Sequence, residues 1–224
     1  MTAYLHRLDD LLRGRTNLIQ VRGNPRAFAW LAAQVFVFGC VYGAVMGTFG
    51  GILGQRLWQV VFSATKVPLL LLVTFALGLP SFFVLNTLYG LRSDFGEAVR
   101  ALLAAQAAMT LILASLAPLT LVWYASSGDY VWALLYNGSM FAIATFAAQW
   151  LLRRFYRPLL LRRPRHRWLL RAWLLIYTFV GIQMAWVLRP FIGNPDQQVQ
   201  FFRDDSWSNA YVVVVRLVLS AIGF

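Results

Sequence analysis

The chain has 224 residues, 60% of them hydrophobic and 12% charged, with a net charge of +12. A soluble domain usually carries about a quarter charged residues, so this mixture excludes an ordinary water-facing surface. Its positive charge flanks apolar runs without any RNA- or DNA-binding motif, which points to anionic lipid headgroups and away from nucleic acid.

Several apolar runs reach the roughly 20 residues that cross a bilayer as helix. The expected fold is all-α: a polytopic transmembrane bundle of five spans, an N-terminal amphipathic helix and a C-terminal interfacial helix. Residues 1–26 form a basic segment in which Leu5, Leu8, Leu11 and Leu12 share one helical face. Arg7, Arg13 and Arg15 can meet headgroups there. The segment lacks the short apolar core and small-residue cleavage site of a signal peptide.

The first span is expected over 27–49. A short amphipathic piece, "GGILGQRLWQVVFSATK", follows. The second span covers 67–91, with Pro68 in its first turn and a kink at Pro80. "RSDFGEAVR" connects it to a third span over 101–124. The turn "SSGD" makes the third and fourth spans, the latter over 130–152, an antiparallel hairpin. A basic connection, "RRFYRPLLLRRPRHRWLLR", leads to the fifth span at 172–188. Its shortness is offset by Trp173 and Trp186 as interfacial anchors. Residues 1–26, 27–193 and 194–224 are thus a cytoplasmic segment, a transmembrane domain, and an extracytoplasmic loop with an interfacial helix. The tail 207–224 is long enough to be a thin sixth span, but Arg216 near its middle favours the interface.

Arginine and lysine counts orient the chain. With the N-terminus cytoplasmic, the three cytoplasmic segments hold fifteen and the opposite side five. That is a positive-inside bias, expected of a cytoplasmic membrane protein.

Gly39, Gly43, Gly47 and Gly51 recur every fourth residue and predict a groove for close helix packing, within the chain or against another. All eight acids, Asp9, Asp10, Asp94, Glu97, Asp129, Asp196, Asp204 and Asp205, lie outside span interiors. No metal-spaced cluster or phosphate-binding loop exists. His6 and His166 sit among arginines and are expected at the surface, and Cys40 has no partner. An enzyme is therefore not expected, and no catalytic, cofactor or metal residue is assigned. Gln34, Asn86, Gln106, Asn137, Gln149 and Gln183 lie inside spans, as interhelical hydrogen-bonding groups or as the lining of a path. Lys66 heads the second span and either snorkels outward or meets an outer acid.

In the basic connection, Arg153, Arg154, Arg157, Arg162, Arg163, Arg165, Arg167 and Trp168 are expected at the lipid headgroups. Arg189 ends the fifth span as a snorkelling cap. With Phe191, Phe201, Phe202, Arg203, Asp204, Asp205 and Trp207 it forms a candidate interaction loop.

Residues 65–90, "TKVPLLLLVTFALGLPSFFVLNTLYG", resemble the central part of bacterial Yip1-like membrane proteins: a basic residue and proline head a leucine-rich helix that meets a second proline. "GIQMAWVLRPFIGNP", residues 181–195, resembles a segment of an uncharacterised bacterial branch. The resemblance implies a five-helix bundle in a bacterial inner membrane and an adaptor role in membrane organisation. The expected function is a non-enzymatic scaffold or accessory subunit with other membrane subunits and anionic lipids as partners. A small permease or channel component for an anionic solute is the alternative.

Overall fold

Each apolar run from residue 25 to residue 188 becomes helix in the computed structural model, which describes residues 2–15, 25–203 and 209–212. The helices are α1 (Thr2–Leu12), α2 (Pro25–Gly47), α3 (Arg56–Leu88), α4 (Phe95–Ser126), α5 (Tyr130–Arg162) and α6 (His166–Leu188), with a 3-10 turn at Arg92–Asp94. No strand occurs among the described residues. Helices α2 to α6 are long and apolar enough to cross a membrane, which makes the chain an integral membrane protein. The tail 207–224, with its candidate sixth span, lies largely outside the described residues, as do Asp204, Asp205 and Trp207.

Four helices run further than the sequence suggests, α4 by taking in most of the connection before it. The amphipathic piece before the second span is not separate: from Arg56 it is the first part of α3. Pro68 therefore lies in the helix interior, and so does Pro80. The bond each proline removes is tolerated where neighbouring helices pack close. The basic connection is not a loop either. α5 continues to Arg162 through Pro158, and α6 begins at His166, leaving only Arg163–Arg165 between them. The "SSGD" turn acts as expected. Asp129 caps α5 by accepting from the Val131 and Trp132 amides at 2.8 and 3.0 Å.

α4 is the central helix, and every residue from Ala101 to Ala108 is buried. Small alanines admit neighbours on all sides. α2 and α5 pack on α4, while α3 packs on α2 and carries α6. Gly43 lies against the backbone of Ser63 and Ala64, and Gly47 against that of Val60 and Gln59. Gly39 faces Pro68. Gly51 departs from this row. It follows the end of α2 at φ +104°, and a Cβ there would meet nothing within 4 Å. The four-residue spacing therefore describes the α2–α3 contact only as far as Gly47.

α1 packs on the bundle instead of standing clear of it. Leu11 is buried, and the Tyr4 hydroxyl donates to Gln34 Oε1 at 2.6 Å. Leu5 and Leu12 remain exposed.

Candidate functional site: a seated loop and a cleft between α5 and α6

α3 carries four polar residues at spacings of three and four: Arg56, Gln59, Ser63 and Lys66. That spacing puts them on one helical face. The chain after α6 folds back over this face and supplies main-chain carbonyls to it. Arg56 donates to the Asn194 carbonyl at 3.2 Å, and the Ser63 hydroxyl donates to that of Phe191. Gln59 donates to the Ser63 oxygen at 3.0 Å. Lys66 Nζ donates to the Pro190 carbonyl at 2.7 Å and lies 4.9 Å from the centre of the Phe201 ring. From α5, the Tyr130 hydroxyl donates to the Ile192 carbonyl at 3.3 Å. Gly193 rests on the Gln59 side chain with no room for a Cβ.

Lys66 thus does not snorkel outward, and it meets no acid among the described residues, which leave out Asp204 and Asp205. It is fully buried, and its charge is stabilised by a carbonyl and an aromatic face. Arg189 stacks on Trp186, 3.4 Å from the ring centre. Phe191 packs into the buried cluster around Tyr42 and Phe49, and Phe201 packs edge-on to Phe62. Phe202 is exposed, as are Pro195–Gln198. The loop is consequently a cap held by its backbone, with Pro195–Gln198 and Phe202 exposed on its outward side.

The opposite end carries the arginines. His166 is buried there, contrary to the sequence expectation. Its Nε2 is 3.3 Å from Asp94 Oδ2, and its Nδ1 is 3.4 Å from the Tyr156 hydroxyl. Arg162 pairs with Glu97 at 2.7 Å, and Arg163 donates to the Gly90 carbonyl at 3.0 Å. Arg154 donates to the Arg13 carbonyl and stacks on Trp150. Arg153, Arg157, Arg165, Arg167 and Trp168 are exposed. The arginines expected at headgroups therefore divide. Arg154, Arg162 and Arg163 bond to the protein, while the exposed group faces outward.

Between the two ends runs a cleft where α5 and α6 stand apart. A cavity of about 300 Å³ has Leu71 and Thr74 of α3, Gln106 of α4, Phe141 and Gln149 of α5, and Tyr177 of α6 among its walls. Leu70, Phe141 and Ala185 also line a second cavity, of about 430 Å³, which Asn137, Arg189 and Arg203 reach at the loop end. Leu174 of the first cavity also lines a notch of about 260 Å³ at the other end, between Arg153, Arg167 and Arg171.

The polar residues expected inside spans have different fates. Gln34 accepts from Tyr4, and Gln183 accepts from the Ala210 amide at 3.1 Å. Asn137 accepts from Tyr42 and donates to Tyr124 at 2.7 Å. Asn86 is buried, and neither atom of its side-chain amide has a partner among the described residues. Gln106 Oε1 and Thr74 Oγ1 are buried in the first cavity without a partner among the described residues. No three His, Cys, Asp or Glu side chains converge among the described residues.

The two segments that carry the Yip1-like resemblance meet at Lys66 and Pro190. No family model, curated protein or solved structure matches the chain.

Proposed function

We infer that the chain is a non-enzymatic scaffold or accessory subunit of a larger membrane-protein assembly. We place it in a bacterial cytoplasmic membrane with its arginine-rich end inside, on the distribution of fifteen basic residues against five. The observation that carries the functional reading is the seated loop. Five side chains from two helices hold its backbone or support the groups that do, which leaves Asp196–Gln198 and Phe202 as a fixed, exposed surface. A loop ordered before it binds loses little conformational entropy on association. The Yip1-like resemblance adds an adaptor role in membrane organisation.

The test is photo-crosslinking from position 198 in the native membrane, followed by purification in a mild detergent and mass spectrometry. One recurring partner in near-stoichiometric amount is expected, and Phe202→Asp should deplete it. A chain that purifies alone, with no crosslinked partner, overturns the reading.

A small permease is the second reading. It is favoured by Gln106 and Thr74, whose unpartnered oxygens face a cavity that Gln149 also lines. Anion uptake by liposomes containing the chain, abolished by Gln106→Leu, would establish it in place of the first.

A further inference from the structure

We propose that the cleft between α5 and α6 is a binding site for one anionic phospholipid, with its phosphate in the Arg153–Arg167–Arg171 notch and an acyl chain in the adjoining cavity. This goes beyond the scaffold reading and does not depend on it.

The notch joins three guanidinium groups to three leucines, Leu160, Leu170 and Leu174. No carboxylate among the described residues lies within ion-pair distance of the three arginines. Arg171 stacks on Trp168 at 4.9 Å, which holds its guanidinium at the helix surface. Arg153 lies on α5, whereas Arg167 and Arg171 lie one helical turn apart on α6. The positive charge thus straddles the seam. A phosphate there would bridge two helices that otherwise scarcely touch, and guanidinium groups suit phosphate oxygens in geometry and charge.

Leu174 belongs to both the notch and the larger cavity, so the charged site adjoins apolar space. That cavity follows α6 from Trp173 to Ala185, about 18 Å of helix at 1.5 Å per residue. Its walls are mainly leucine, alanine and aromatic, and Thr145 and Thr178 at its mouth are exposed. Its length is that of roughly one leaflet of a 30 Å hydrocarbon core. A charged notch at the interface adjoining an apolar channel one leaflet deep matches the two halves of a phospholipid. Neither a small anion nor a protein helix matches both.

The test is native mass spectrometry of the full-length protein in a mild detergent, titrated with phosphatidylglycerol or phosphatidylcholine of identical chains. One phosphatidylglycerol should be retained in preference to phosphatidylcholine. Arg153→Gln, Arg167→Gln and Arg171→Gln should each reduce that preference about fivefold. The pair Arg157→Gln and Arg165→Gln, outside the notch, should leave it unchanged. Thr178→Trp, on an exposed position of the cavity mouth, should weaken retention of long-chain phosphatidylglycerol but not of a six-carbon analogue.

Equal loss with the control pair would reduce the effect to general surface charge and overturn the site. A dimer that Thr178→Trp converts to monomer would assign the cleft to a second copy. Circular dichroism and an unchanged elution volume verify that each variant folds.

Discussion

The α2–α3 and α5–α6 seams join consecutive antiparallel helices by short turns, yet one is shut and the other gapes. At α2–α3 a row of glycines brings backbone onto backbone, with Gly43 and Gly47 against residues 59–64. At α5–α6 the facing positions carry Phe141, Gln149, Trp173, Tyr177 and arginines, and a cleft remains between them. Lipid is as apolar as a leucine side chain, so helices in a bilayer gain by close contact rather than by escaping water. Small residues make that contact. Large ones hold the helices apart and leave volume for another molecule.

The strongest way to break this contrast is to place bulk in the shut seam. A side chain at Gly43 would collide with the Ser63 carbonyl and Ala64 Cα, neither of which can rotate away. Gly43→Leu should destabilise the bundle by about 3 kcal/mol or force α2 from α3, read as the midpoint of thermal or detergent-induced unfolding. Gly138→Ala is the counterpart at an open helical position, where a Cβ meets nothing within 4 Å. It should change stability by less than about 1 kcal/mol, in the stabilising direction.

The loop end sharpens the comparison, because there polar contacts do what glycine does at the shut seam. Lys66→Met keeps the bulk of the side chain but removes its charged donor to the Pro190 carbonyl. Hydrogen bonds from charged groups contribute about 1.5–3 kcal/mol, so the loop should detach well before the helices unfold. In a chain with Cys40→Ser, a cysteine at buried Ile192 reports this directly. Its labelling by a maleimide should accelerate at least tenfold with Lys66→Met. Equal labelling rates with and without the lysine would show that packing alone seats the loop.

A smaller effect is expected at the arginine end, where Asp94 and Tyr156 flank buried His166. Asp94→Ala leaves an imidazole nitrogen without its partner at a buried site, at a cost of about 1–2 kcal/mol. Asp94→Asn keeps an oxygen in place and should lose less. Detergent unfolding midpoints for the two variants separate the outcomes, and equal losses would show that the carboxylate's charge, which both variants remove, holds the imidazole rather than an oxygen acceptor alone.

These regions also differ in how far they can be read from the sequence. Span number and helix class follow from apolar run length, and the Asp129 cap from the "SSGD" turn. The glycine row is legible to Gly47. It fails at Gly51, because spacing does not reveal where a helix ends. The folded-back loop is less accessible. Arg56, Gln59, Ser63 and Lys66 do form a visible three-and-four pattern, but their partners are backbone carbonyls more than 120 residues away, which carry no side-chain signature. The same limit applies to His166. Eight neighbouring arginines suggest exposure, whereas the turn at 163–165 points the imidazole at Asp94. The cleft is least legible of all, since the separation of α5 and α6 beyond the Tyr156–His166 contact has no local pattern.

The smallest effect belongs to α1, where an ion pair stands in water instead of in a seam. Arg13 Nε donates to the Asp9 carboxylate at 2.8 Å across one helical turn. That hydrogen bond, with desolvation opposing it and the positive charges of Arg13, Arg15 and His6 adding to it, holds the Asp9 carboxyl below its ordinary value of 3.8. A depressed carboxyl pKa means that the unfolded helix binds the proton more readily than the folded one. The stabilisation is therefore complete above pH 3.8 and is lost as pH falls through the lowered folded value. Both groups are exposed, so screening keeps the contribution small and salt-sensitive. Amide hydrogen exchange in α1 should accelerate slightly on acidification below the carboxylate range, while protection in α4 stays constant. Asp9→Asn should produce the accelerated rate at neutral pH and remove its pH dependence. If α1 exchange is insensitive to both acid and Asp9→Asn, the helix is held to the bundle by Leu11, the Tyr4 contacts and the Arg154 bond to the Arg13 carbonyl, without help from the Asp9–Arg13 pair.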